Sequence, residues 1–176
     1  MSTDITDRLT SLTLEKNIPL IATIELTRRC PCRCVHCYLP ETQGRKKTAP
    51  EKELNAEEWK DILRQLADSG CLSIAFTGGE PLLRPDFAEI CAHASALNFA
   101  IRAFTTGFGL TSGLLRELKK TNVSLFELSF YGRKEIHDAV TRRPGSFETT
   151  LSAAIKIRES GFKVKLKTPL MKANCG

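Results

Sequence analysis

The residues best suited to chemistry are Cys30-Pro31-Cys32-Arg33-Cys34-Val35-His36-Cys37, which follow an apolar run, Ile21-Ala22-Thr23-Ile24-Glu25-Leu26. Cys30, Cys34 and Cys37 are separated by three and then two residues. Thiolates this close in sequence suit a loop wrapped around one compact metal centre. Soft sulfur ligands select iron–sulfur clusters, zinc or Cu(I) over magnesium or calcium. A cubane cluster takes one ligand per iron, so three regularly spaced cysteines leave one iron open to a small molecule. Cys32 offers a competing spacing, as the fourth ligand of a structural zinc knot.

A second group is Gly78-Gly79-Glu80-Pro81. The glycines allow a backbone conformation and a close approach to a ligand that side chains would forbid. Further polar stretches are Thr105-Thr106-Gly107, the trio Ser129, Tyr131 and Gly132, and Lys172-Ala173-Asn174. His93 reads as a helix-surface residue, and His137 with Asp138 as a loop-fixing pair.

The elements that must position these groups alternate between strand and helix patterns. Residues 1–18 carry Ile5, Leu9, Leu12 and Leu14 and read as a short lead-in helix. Residues 21–27 read as a buried strand, and the charged residues 41–54 as a loop. Asn55 is an N-cap with Glu58 as its capping-box partner. Trp59, Ile62, Leu63 and Leu66 form one helical face, which Gly70 ends. Strands follow at 72–77, 99–105 and 123–130. Phe87, Ile90, Cys91, Ala94 and Leu97 mark one intervening helix, with Cys91 in the core, and Leu114, Leu115 and Leu118 mark another. After a loop, Ser146 caps a helix that stops at Gly161. Phe162, Val164 and Leu166 then alternate with lysines in a fifth strand, as at a sheet edge.

Strands joined by helices of this length imply parallel βαβ units with right-handed crossovers. Periodicity leaves two architectures open, an incomplete (β/α) barrel or a doubly wound sheet. In either, sites form at the carboxyl ends of the strands. The cysteine loop, the Gly-Gly-Glu turn and the three other polar stretches all fall at those ends.

Bulk properties narrow the classes. The chain has 176 residues, enough for one domain with a substantial core. No apolar run approaches the roughly 20 residues of a membrane span. The N-terminus lacks a secretory pattern, so the seven cysteines read as reduced thiols in the cytoplasm. The net charge of +6 is spread over the chain, with small concentrations at Arg45-Lys46-Lys47, Lys119-Lys120 and Lys163/Lys165/Lys167. That distribution does not fit a nucleic-acid binder.

The cysteine spacing combined with Gly78-Gly79-Glu80-Pro81 resembles the radical S-adenosylmethionine superfamily. The context sharpens the likeness: Glu25-Leu26-Thr27, Tyr38, Leu82-Leu83-Arg84-Pro85-Asp86-Phe87, His137-Asp138 and Pro144-Gly145-Ser146-Phe147. It is closest to the subgroup that matures peptides and cofactors and usually carries a cysteine-rich C-terminal domain. The resemblance covers roughly residues 20–174. It implies a partial (β/α) TIM-like barrel over residues 21–176, after a lead-in at 1–20. Cys30, Cys34 and Cys37 would bind a [4Fe-4S] cluster, and S-adenosylmethionine would chelate its open iron. Reductive cleavage would then give a 5′-deoxyadenosyl radical that abstracts hydrogen from a substrate, with a peptide as the implied class. Glu80 would receive the ammonium of S-adenosylmethionine, His36 would lie against the adenine, and Ser129 would serve the ribose or carboxylate. Thr77, Gly78, Gly79 and Thr106 would line the site, and Arg142 would face the carboxylate, although the family's arginine often stands where this chain has Thr141. The implied electron donor is a ferredoxin or flavodoxin. Family barrels commonly continue to a sixth strand and a further domain, so a fragment of a longer polypeptide is expected. The alternatives are a non-catalytic cluster- or S-adenosylmethionine-binding remnant and a zinc-stabilised interaction module.

Overall fold

From β2 to β4 each strand ends in a short, polar turn, and the helices that follow return the chain to begin the neighbouring strand. A computed structural model describes residues 4–39 and 53–175. After α1 (Ile5–Lys16), the order is β1 (Ile21–Glu25), α2 (Ala56–Asp68), β2 (Ser73–Thr77), α3 (Phe87–Ala96) and β3 (Ala100–Thr105). Then come α4 (Ser112–Leu118), β4 (Val123–Ser129), α5 (Lys134–Thr141), α6 (Ser146–Glu159) and β5 (Lys163–Lys167). The expected loop at 41–54 lies outside the described residues except for Glu53 and Leu54, as does the basic trio Arg45-Lys46-Lys47.

All five strands are parallel and stand in the order β1-β2-β3-β4-β5. A doubly wound sheet reverses its strand order at a switch point. Here the order never reverses, and right-handed crossovers then place the helices that join the strands on one face, as in a segment of a (β/α) barrel. That settles the architecture left open by periodicity. The apolar core lies between this face and the helices, with Ile74, Phe76, Ile101, Phe126 and Leu128 from the strands and Leu63, Phe87, Ile90, Leu118 and Ile157 from the helices. Phe76 meets Phe87 edge-on at 6.0 Å, a favoured arrangement of ring quadrupoles.

Local signals explain most boundaries. Asn55 Oδ1 accepts from Glu58 N at 3.0 Å while Glu58 returns to Asn55 N at 2.7 Å, the expected capping box. Gly70 adopts φ +87° beyond the end of α2. Cys91 is fully buried in the core, as expected, and burial pushes its thiol pKa up.

Three local expectations are corrected. β1 is an edge strand, not a buried one: Ile21 is 59% exposed, because among the described strands only β2 pairs with it. The stretch before α6 is not all loop; it contains α5, whose buried face is His137, Val140 and Thr141. That face mixes polar and apolar residues and spans only eight positions, too short a run to mark a helix by itself. Ser146 is not the cap of α6 but its first residue, after Gly145 at φ 81°. The cap is supplied by Asp138, whose carboxylate accepts from Gly145 N at 2.7 Å and from Ser146 Oγ and Phe147 N at 2.8 Å. His137 instead accepts from Tyr131 N at 3.3 Å, so the two residues fix the loop separately. His93 is half-buried, with a buried Nε2 that has no partner among the described residues.

Candidate active site

The cysteine loop and the Gly-Gly-Glu turn are stitched together through their backbones. Gly79 N donates to Thr27 O at 2.7 Å and Glu80 N to Arg29 O at 2.8 Å, directly before Cys30. A Cβ on Gly78 would stand 2.4 Å from Thr27 O, and one on Gly79 would stand 2.3 Å from Arg29 O. Gly78 also adopts φ +125°. The close approach that needs glycine is therefore to the segment entering the cysteine loop, where the sequence alone suggested a ligand.

Two arginines hold this segment. Arg84 is buried; it donates to Leu26 O and Leu54 O, both at 2.9 Å, and is clamped by Asp86 at 2.6 and 2.8 Å. Charge-assisted, forked bonds of this kind carry geometric specificity. The resemblance had marked Arg84 and Asp86 without giving them a role. On the other side of the loop, Arg143 donates to Pro31 O at 3.1 Å and lies 4.7 Å from the Phe108 ring centroid. Arg142 is exposed at the left-handed end of α5, φ 51°. That turn decides which of two adjacent arginines meets the loop, and no sequence signal distinguishes them. The loop backbone is also tied to the end of α5, with Arg33 N to Thr141 O and Val35 N to Val140 O, both at 2.9 Å.

All seven cysteines are free thiols, and Cys30, Cys34 and Cys37 are half-buried on this one loop. Cys32 is almost wholly buried. Its thiol hydrogen-bonds to Cys30 and Cys34, lowering the pKa of both, while its own is pushed up by those bonds and by burial. Among the described residues, no three His, Cys, Asp or Glu side chains are arranged as ligands of a single metal ion. The donor set nevertheless fits an iron–sulfur cluster: three free, half-buried soft thiols carried on one loop.

Glu80 is fully buried. Its Oε1 accepts from Leu82 N at 3.1 Å and Thr105 Oγ1 at 2.7 Å, and its Oε2 from Thr106 N at 2.7 Å and the Thr106 hydroxyl. Burial pushes its pKa up, against the pull of those donors. Thr105 is thus a site residue with a defined role, noted in the sequence only as part of a polar stretch. Thr77 ends β2, and its carbonyl accepts from Leu26 N at 3.0 Å.

His36 follows the loop, exposed, with Nε2 3.3 Å from Tyr131 Oη and the rings edge-on at 5.0 Å. Desolvation lowers the His36 pKa. Tyr131 is buried, and desolvation leads in pushing its pKa up to about 12, against a hydrogen bond to Ser129. Ser129 itself ends β4, half-buried. Tyr38 donates to Glu25 Oε1 at 2.6 Å, which holds its pKa up at about 12. The structure therefore brings the cysteine loop, the Gly-Gly-Glu turn, Thr106, Ser129 and His36 to one end of the sheet.

A strictly parallel sheet with a three-cysteine loop after its first strand and a buried Gly-Gly-Glu turn after its second defines a known class. Residues 24–173 match the family model described as the radical SAM superfamily, and the chain belongs to that family. The cofactors of this superfamily are a [4Fe-4S] cluster and S-adenosylmethionine. The chain is 32% identical over 158 residues to the PqqA peptide cyclase of Bradyrhizobium diazoefficiens, covering 89% of this chain and 40% of that protein. Among solved structures, Streptococcus suis SuiB superposes with a TM-score of 0.74 at 21% identity, over 98% of this chain and 40% of SuiB. Native anSMEcpe with bound AdoMet gives 0.69 at 20% identity, over 84% of this chain and 44% of that one. These structural likenesses show the fold. The chain thus spans about two fifths of the length of the PqqA peptide cyclase and SuiB. Among the described residues, no helix is long and apolar enough to cross a membrane.

Proposed function

We propose that this chain is the S-adenosylmethionine-cleaving core of an enzyme that modifies a peptide. The observation that carries the reading is the backbone stitching of the cysteine loop to Gly78-Gly79-Glu80, which joins the two halves of the family's signature into one site. When bound, the cluster and S-adenosylmethionine supply a one-electron cleavage and a carbon-centred radical. Cys30, Cys34 and Cys37 would hold the cluster. Glu80 would receive the ligand ammonium, its carboxylate held in place by the donors from Leu82, Thr105 and Thr106. His36 would offer its ring to the adenine, and Ser129 a polar contact to the ribose or carboxylate, while the exposed Arg142 at the end of α5 is not brought to these groups. Thr77, Gly78 and Gly79 shape the floor. Residues 21–176 form the core and 1–20 its lead-in, working in the reducing cytoplasm with a ferredoxin or flavodoxin as donor.

The peptide class is supported by the PqqA peptide cyclase and by SuiB, solved with its precursor peptide SuiA. The test is anaerobic reconstitution with iron and sulfide, then dithionite and S-adenosylmethionine, with 5′-deoxyadenosine as readout. Product that disappears in Cys34→Ala is the expected result. A full cluster without product would leave a binding module only, and zinc without visible absorbance would leave an interaction module.

A further inference from the structure

Successive residues of a strand face opposite sides of a sheet. Phe126 and Leu128 of β4 belong to the core beneath the helices, so Glu127 faces the other, barrel-interior side. Register carries that side across the sheet to Phe104 and Arg102 on β3 and to Lys163, Lys165 and Lys167 on β5. Glu127 is buried, yet its carboxylate holds two cations that stay within reach of solvent. Arg102 stands 3.4 Å away with a side chain 34% exposed, and Lys167 stands 2.8 Å away at 45%. The Lys167 ammonium also lies 4.2 Å from the Phe104 ring centroid. Lys165 is the register partner of Glu127, but neither it nor Lys163 forms an ion pair among the described residues. The face thus sets one carboxylate against four cations. Its other carboxylate, Glu25, lies on the far edge strand and accepts from Tyr38.

Lysines along an edge strand guard against edge-to-edge pairing. That role needs neither a buried counter-ion nor an ammonium laid over a ring. Glu127 instead fixes Arg102 and Lys167 in place while using few of their donors, since a guanidinium carries five N–H groups and an ammonium three. Lys167 ends β5 beside Ser129, at the strand ends where the cysteine loop also sits.

We propose that this face recognises a substrate carboxylate, and that its occupant is an acidic side chain of the peptide. The proposal rests on the peptide reading above. It also has its own readout, because binding is measured without cluster, reductant or turnover. The experiment is fluorescence anisotropy on the full 176-residue chain with fluorescein-labelled hexaglutamate and hexaglutamine. Hexaglutamate should bind at least about tenfold more tightly. The Lys163→Ala/Lys165→Ala variant should weaken it about five-fold, in line with solvent-reachable ion pairs. Glu127→Gln, which keeps a carbonyl acceptor for these cations while removing the competing negative charge, should tighten it. A folding defect would weaken both variants, so the opposite signs separate recognition from damage. Equal affinity for the two peptides overturns the proposal. So does an equal loss in a Lys120→Ala/Lys156→Ala control, which would mean general attraction to a basic protein. Displacement of hexaglutamate by S-adenosylmethionine also overturns it, by assigning these cations to the cofactor's own carboxylate.

Discussion

Single atoms decide the geometry at Gly78 and Gly79. A methyl group at Gly79 meets Arg29 O at 2.3 Å, and that oxygen belongs to backbone held by Glu80 N. The clash cannot be relieved by rotating a side chain; the entry to the cysteine loop has to shift. Gly79→Ala should therefore lower stability by about 1–3 kcal/mol, read by urea unfolding. Iron retained per chain after reconstitution should fall with it. Unchanged iron binding would mean that the loop does not depend on this packing. Glu80 illustrates a different limit of reading residues singly. Its type and position were legible, but not that four donors from Leu82, Thr105 and Thr106 already occupy it.

At the scale of elements, the joint between α5 and α6 holds the far side of the cysteine loop, since the end of α5 accepts from Arg33 and Val35. Asp138 is its fastener. Burial would raise the Asp138 pKa, but the donors Phe147 N, Gly145 N and Ser146 Oγ outweigh it and hold the group below the usual aspartate value. A depressed carboxylate contributes stability above its unfolded pKa, about 4, and loses it as pH falls through the folded value. Asp138→Asn should cost about 1 kcal/mol at pH near 7, because one of the two accepting oxygens becomes an NH2 that cannot accept. The gap from wild type should close in acid, as urea unfolding at the two pH values would show. A gap that persists at low pH would assign the loss to packing. Neither α5 nor this cap was read from sequence, because Asp138 acts on a helix eight residues away and the usual cap position holds Gly145.

On the scale of the whole molecule, the sheet presents one apolar face to the helices and one charged face to the barrel interior. β5 is the last of the described strands, and in this chain Lys163 and Lys165 place charge along it, which disfavours edge-to-edge pairing. Lys163→Val/Lys165→Val should promote self-association, seen as larger species in analytical ultracentrifugation at micromolar concentration. An unchanged distribution of species would show that twist and surrounding side chains protect the edge without them.

The linear sequence determined the chemical alphabet and the order of elements. Three soft ligands sit on one loop, the Gly-Gly-Glu turn follows the next strand, and alternating periods prescribe parallel βαβ units. Those are local properties, set by residue types and short spacings. Tertiary structure decided what depends on residues far apart in the chain. It fixed the uninterrupted strand order, the edge position of β1, the use of the glycines against Thr27 and Arg29, the choice of Arg143 over Arg142, and the pairing of Glu127 with Arg102 and Lys167. None of these has a short-range signal, because each energy belongs to a contact that exists only once the strands are side by side.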